Sequence, residues 1–221
     1  MKIFLDTANL EEIEKGLQRG IFSGITTNPA LFSKEPKSDY FSHIKKIVEL
    51  CQKYNQEIPL SVEVFQTDPQ KIYEQAKEFV SKINYSNLNI KIPIGLEELE
   101  VIKKLGNEGL RVNCTCGLNE SQAILACAAG VRYFSLFAGR IKDIGGDPAR
   151  VIKNTHQLLQ GTNTEIIVGS IRHMQDVADA FLAGADIVTV PPNILEKMAI
   201  HPKTTEAVNQ FLNDFQQWIG K

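Results

Sequence analysis

The sequence has no long apolar run. Its longest stretch, Ala123–Val131, is built largely of small residues and falls well short of the ~20 residues that cross a bilayer. The first residues, Met1-Lys2-Ile3-Phe4-Leu5, are cut short by Asp6, too early for the apolar segment of a secretory leader. A cytoplasmic protein without a membrane partner is expected. Charge of neither sign dominates: 24 Lys and Arg against 26 Asp and Glu leave a formal charge of −2. Such a balance supplies no basic field for nucleic acid, and positive charge for an anionic ligand has to come from a few placed arginines. Cysteine is sparse, at four residues, and only Cys114 and Cys116 lie close together. Without a second pair nearby they argue against a zinc site, and alternation along a strand puts both on one side as small buried groups. His43, His156, His173 and His201 are scattered with no nucleophile or metal-ligand partner and read as structural. No metal and no cofactor is expected.

Linkers, low-complexity tracts and charge blocks are also missing, so nothing divides the 221 residues into separate domains, and one domain is a reasonable size for this length. What is present is alternation. Short apolar runs, many rich in Val and Ile, predict strands at Lys2–Asp6, Gly24–Thr27, Leu60–Val64, Leu88–Ile92, Arg111–Thr115, Tyr133–Phe137, Glu165–Gly169 and Ile187–Val190, the pattern of strands buried on both faces. Amphipathic stretches predict helices at Leu10–Leu17, Tyr40–Tyr54, Pro69–Ile83, Leu96–Gly106, Glu120–Ala129, Ala149–Leu159, Met174–Ala183, Ile194–Met198 and Thr204–Ile219. Asp68-Pro69 and Asp147-Pro148 place a capping carboxylate before a first-turn proline, and Gly106, Gly130 and Gly184 stand where helices should stop. Eight strands alternating with helices imply parallel pairing with right-handed crossovers. The count fits a closed (β/α)₈ barrel of the TIM type with an extra C-terminal helix. An open dinucleotide-binding sheet fits less well, because the first strand-to-helix turn lacks a glycine-rich fingerprint.

Barrels of this kind do their chemistry at the C-terminal ends of the strands, and polar residues cluster there. They are Asp6; Thr26-Thr27-Asn28; Glu63; Lys91; Asn113 and Thr115; Ser135 with Arg140; and Ser170 with Arg172. The eighth strand, Val188-Thr189-Val190, offers little. Lys91 lies between isoleucines in Ile90-Lys91-Ile92, where desolvation disfavours the ammonium and would free an amine to attack a carbonyl; it could equally be a strand-end charge that snorkels to water. Asp6 and Glu63 point to proton transfer, although Asp6 could instead cap the helix that follows. Arg140 and Arg172, with Ser170, fit a phosphate grip on the late loops, or two ordinary surface arginines.

Taken together, Phe4-Leu5-Asp6-Thr7-Ala8, Gly24-Ile25-Thr26-Thr27-Asn28-Pro29, Ile90-Lys91-Ile92-Pro93, Gly139-Arg140, Ser170-Ile171-Arg172-His173 and Ala185-Asp186-Ile187-Val188-Thr189-Val190-Pro191 resemble the small transaldolases, a subfamily that includes the fructose-6-phosphate aldolases. The resemblance runs from Met1 to about Leu212. It implies a metal-free (β/α)₈ enzyme in which Lys91 forms the Schiff base and Asp6 assists carbon–carbon cleavage. It implies that Glu63 and Thr115 position a catalytic water, and that Thr27, Asn28, Asn113, Ser135 and Phe137 line the substrate pocket. Arg140, Ser170 and Arg172 match the phosphate-binding positions. Aldolases of the subfamily resemble this pattern but carry Gln and Tyr where this sequence has Glu63 and Phe137, so the resemblance favours a transaldolase that moves a dihydroxyacetone unit between sugar phosphates of the pentose phosphate pathway. The alternative is a fructose-6-phosphate aldolase; a deoxyribose-phosphate type of aldolase and a non-catalytic sugar-phosphate binder fit less well. Two departures stand near the pocket, Cys114-Thr115-Cys116-Gly117 and Gly95. The resemblance also implies a homo-oligomer, a pentamer or decamer, with the C-terminal helix on a neighbour. Val208, Phe211, Leu212, Phe215 and Trp218 give that helix an apolar stripe, which could instead close its own barrel.

Overall fold

The computed structural model describes residues 1–54 and 57–220. Among these, eight parallel strands close into a barrel in sequence order: β1 (Lys2–Asp6), β2 (Ile25–Thr26), β3 (Leu60–Glu63), β4 (Leu88–Pro93), β5 (Val112–Gly117), β6 (Tyr133–Phe137), β7 (Glu165–Gly169) and β8 (Ile187–Val190). Closure is made where β8 returns to β1, pairing Lys2 with Ile187 and Leu5 with Val190. Helices fill the connections: α1 (Leu10–Arg19), α2 (Pro29–Phe32), α3 (Tyr40–Lys53), α4 (Pro69–Ile83), α5 (Leu96–Asn107), α6 (Glu120–Ala129), α7 (Ala138–Asp143), α8 (Pro148–Leu159), α9 (Met174–Leu182), α10 (Pro192–Ala199) and α11 (Pro202–Trp218). This is a (β/α)₈ barrel with a C-terminal helix, as the alternation predicts.

Two apolar layers hold it. The larger packs the outward side chains of the strands, among them Leu60, Ile90, Ile92 and Val112, against the helices. Inside the barrel a second cluster of Phe4, Tyr133, Ile167 and Ile187 sits towards the N-terminal ends of the strands, with Phe4 and Tyr133 edge to face at 6.1 Å. Above this plug the inward-facing residues turn polar: Thr26, Ser61, Lys91, Asn113, Ser135 and Thr189 are all buried.

The structure departs from the sequence pattern at several points. α2 and α7 are too short to show a helical period; Asn28 starts α2 by accepting a hydrogen bond from the Leu31 amide at 3.0 Å. α5 runs past Gly106 to Asn107, and Gly109, at φ 80°, makes the reversal instead. Gly95 is the N-cap of α5 without a side-chain hydrogen bond, and it does not line the central cavity. In β5 the register with β6 shifts between Cys114 and Gly117, and Cys116 takes φ 62°. This bulge breaks the alternation that predicts two buried thiols on one side: Cys114 is buried and Cys116 only partly so. Finally, α11 buries none of its side chains, and Phe211, Phe215 and Trp218 are 68%, 57% and 80% exposed, so its apolar stripe does not close the barrel that carries it. No described helix is long and apolar enough to cross a membrane.

Gly24, just ahead of β2, marks the tightest approach in the plug: a Cβ there would lie 2.5 Å from the ring of Phe4, itself 1% exposed. Gly24→Ala is expected to destabilise the fold by about 2 kcal/mol through overpacking, read by urea or thermal unfolding, and Phe4→Leu in the same chain should recover part of the loss. Equal stability of Gly24→Ala and the parent would contradict this packing.

Candidate active site

The polar upper half of the barrel opens into a cavity of about 420 Å³ at the C-terminal ends of the strands, lined among others by Asp6, Thr26, Asn28, Glu63, Lys91, Ser135, Phe137, Arg140, Ser170 and Thr189. Parallel registry explains the convergence. Glu63 on β3 is level with Lys91 on β4, and Lys91 is level with Asn113 on β5, so each side chain enters the barrel beside its neighbour. Lys91 is 4% exposed. Its Nζ pairs with Glu63 Oε2 at 2.8 Å, donates to the Thr27 carbonyl at 3.2 Å and stands 5.9 Å from the centre of the Phe137 ring. Lys91 therefore does not snorkel out; it ends at the cavity floor.

Asp6 does not cap α1, which is capped by Asn9. It accepts a hydrogen bond from Thr26 Oγ1 at 2.7 Å, and Thr26 Oγ1 lies 2.5 Å from Thr189 Oγ1. A hydroxyl has one proton; with Thr26 giving its own to Asp6, Thr189 is the donor to Thr26. The eighth strand thus contributes to the site after all. Burial holds the Asp6 carboxyl above its ordinary value of 3.8, and the charge of Glu63 pushes the same way, against the pull of Lys91 and the Thr26 hydrogen bond.

Behind the cavity wall the remaining strand-end residues are tied together. Ser135 Oγ donates to Asn113 Oδ1 at 2.7 Å, and Asn113 Nδ2 donates to Ser61 Oγ at 3.1 Å. Ser135 lines the cavity and Asn113 lies behind it. Thr27 uses its hydroxyl on the Ser61 carbonyl, so what it presents to Lys91 is backbone. Thr115 Oγ1 is buried with no hydrogen bond to a nitrogen or oxygen of the described residues; its polar neighbour is the thiol of Cys116, a weak partner. Burial raises the Cys116 thiol, as does the negative charge of Glu63.

On the far rim Ser170 takes the left-handed φ of 58°, a strained conformation for a side-chain-bearing residue. The Gly139 amide donates to the Ser170 carbonyl at 3.1 Å. A Cβ on Gly139 would lie 2.5 Å from that carbonyl and 2.7 Å from both Ser170 Oγ and Arg172 Nε, so glycine lets the two loops close. Arg140 and Ser170 line the cavity with Lys91. Arg172 lines an adjoining one of about 410 Å³, bordered also by Asp6, Lys34, Ser170 and Asn193. Both arginines meet the carboxylate of Asp143: Arg172 by two hydrogen bonds of 2.5 and 2.6 Å, Arg140 at 3.6 Å. The Arg172 hydrogen bonds hold the Asp143 carboxyl below the usual range.

Thr189, Lys34 and Asp143 are not among the site residues expected from the sequence, and Cys116 is expected near the pocket only as a departure from the family pattern. Only Asp143 carried a usable signal, its place three residues after Arg140 on one helical turn. The four histidines have structural places: buried His43 contacts the Ala8 carbonyl at 2.7 Å, His173 and His201 are helix N-caps, and His156 packs over Gly184.

The fold alone is shared widely. A thiamine phosphate pyrophosphorylase from Pyrococcus furiosus superposes with a TM-score of 0.64 at 12% identity, over 89% of this chain and 93% of that one. Sequence similarity is narrower. The chain is 41% identical to a probable transaldolase of Petrotoga mobilis, covering 99% of this chain and 96% of that protein. It is 38% identical to one of Alkaliphilus metalliredigens over 98% of each, and 38% identical to one of Thermoplasma volcanium over 98% and 96%. The profile of the transaldolase/fructose-6-phosphate aldolase family matches residues 3–220, and the chain belongs to that family.

Proposed function

We propose that this protein is a transaldolase that works through a Schiff base on Lys91, moving a dihydroxyacetone unit from a ketose phosphate such as fructose 6-phosphate to an aldose phosphate such as erythrose 4-phosphate. The observation that carries the proposal is the lysine amine at the cavity floor, 4% exposed, 2.8 Å from the Glu63 carboxylate and in the field of a second carboxylate, Asp6, whose proton affinity is raised.

Glu63 takes the proton that Lys91 must lose before its nitrogen adds to the ketone. Water leaves the resulting carbinolamine, and its proton transfers run through Glu63 and a water held with the Thr115 hydroxyl, which has no stronger partner. In the iminium, Asp6 removes the proton of the hydroxyl next to the scissile bond; the bond breaks, an aldehyde leaves, and the electron pair moves into an enamine on Lys91. Addition of the acceptor aldehyde reverses the sequence. The Phe137 ring has no proton to give, so it supports an enamine that waits for an acceptor over one that is protonated and hydrolysed to free dihydroxyacetone. Arg140, Ser170 and Arg172 suit the phosphate, while Asn28 and Ser135 suit sugar hydroxyls. Borohydride reduction in the presence of fructose 6-phosphate is expected to fix the three-carbon unit on Lys91 and on nothing in Lys91→Met; a label on another lysine would sink the mechanism. Turnover that is as fast without erythrose 4-phosphate as with it would favour the aldolase.

Asp6 carries a second expectation. A carboxyl raised in the folded chain stays protonated to a higher pH than in the unfolded one, so it lends stability at low pH and withdraws it as pH climbs through the folded value. Asp6→Asn should slow cleavage roughly a thousandfold yet melt higher than the parent near neutral pH, the gap closing as the pH falls below the ordinary value of 3.8. An unchanged rate, or a lower melting temperature at neutral pH, would contradict this.

The exposed stripe of α11 fits a second copy of the chain, as in the ring-forming oligomers that the small transaldolases resemble, a pentamer or decamer. Phe215 and Trp218 stack at 5.8 Å with both rings in solvent. Phe215→Asp with Trp218→Asp is expected to release monomers with an intact barrel, measured by light scattering and circular dichroism. An unaltered mass would exclude α11 from the interface.

A further inference from the structure

We infer that Asp143 is a positioning residue that assembles Arg140 and Arg172 into a receptor for the substrate's phosphate. The inference rests on the phosphate role proposed above for the two arginines. Two guanidinium groups from separate segments, helix α7 and the loop after β7, repel each other at the cavity rim. Among the described residues Asp143 is the carboxylate in ion-pair range of either, and it meets both.

The two contacts differ in kind. Arg172 gives both terminal nitrogens to Asp143, at 2.5 and 2.6 Å. This planar two-point grip fixes the orientation of the fork and leaves Nε without a hydrogen-bond partner among the described residues. Nε and Ser170 Oγ border the same space beside Gly139, each 2.7 Å from the point a Cβ there would occupy. Arg140 touches Asp143 by a single contact of 3.6 Å, and its side chain is 66% exposed against 43% for Arg172. Arg172 is thus the fixed wall of the receptor and Arg140 the arm that turns from the carboxylate to an incoming phosphate.

Asp143 also opposes a phosphate through its own charge, and the balance has to be decided. The carboxylate is 38% exposed, where water and salt weaken a through-space repulsion. The orientation it imposes on the Arg172 fork is a short-range geometric effect that screening does not remove. Positioning outweighs repulsion, and losing the carboxylate weakens phosphate recognition.

The test compares kcat/KM for fructose 6-phosphate with that for fructose, using one aldehyde acceptor, in the full-length parent, Asp143→Asn and Arg172→Gln. Asp143→Asn is isosteric at a partly exposed site, and a melting curve verifies its fold. The phosphorylated-to-unphosphorylated ratio should fall about tenfold in Asp143→Asn, the size of one charge-assisted hydrogen bond, with the loss in KM for fructose 6-phosphate. Inorganic phosphate should inhibit fructose turnover more weakly in the same proportion. A purely structural role for Asp143 would lower both donors together and leave the ratio unchanged. A ratio that is unchanged or higher in Asp143→Asn, while Arg172→Gln lowers it, overturns the role of Asp143 alone. If Arg172→Gln also leaves the ratio unchanged, the phosphate role of the arginines fails and that of Asp143 with it.

Discussion

An ammonium group inside a barrel exists only where its charge is met, because an unpaired buried charge costs several kcal/mol. Lys91 is met by a carboxylate on the adjacent strand and a carbonyl from the turn after β2. That requirement ties together two strands and one turn, and it depends on registry: a one-residue slip between β3 and β4 would turn Glu63 out of the barrel while Lys91 stayed inside. Below this pair the apolar plug of Phe4, Tyr133, Ile167 and Ile187 closes the barrel. Desolvation therefore acts on the upper layer from one side and solvent from the other.

The charges above the plug fall into two groups with different exposure. At the floor, Lys91, Glu63 and Asp6 are close and largely desolvated, and burial is the main reason that Asp6 holds its proton unusually well. At the rim, Arg140, Arg172 and Asp143 lie in partial contact with water, and their geometry matters more than their summed charge. The floor suits proton transfer to a bound carbonyl compound and the rim suits recognition of an anion. Ser170, strained at φ 58°, lies between them and borders both cavities.

Much of the fold was legible in the chain because its signals are local. Strands buried on both faces read as short apolar runs, and four of the eight, β1, β6, β7 and β8, have the predicted bounds. Where the pattern misled, a local rule gave way. Gly106 is absorbed into α5 because Gly109 provides the positive φ. Cys116 leaves the side of Cys114 because a bulge inserts into β5. α2 and α7, of four and six residues, span fewer than two turns each and have no period to detect.

For the site, the chain already carried which polar residues stand at the ends of which strands, since alternation and element order depend only on neighbours along it. It therefore yielded Lys91, Asp6, Glu63 and the arginines as candidates. Tertiary structure alone decided who touches whom. Thr189, one threonine on an apolar strand, became the third member of a chain with Thr26 and Asp6 because β8 closes against β1. Thr27 and Asn113 became supports behind the wall, because their side chains are engaged by Ser61 and Ser135 on neighbouring strands. Asp143 gained its partner Arg172 from a loop 29 positions away, a distance over which no periodicity in sequence carries information.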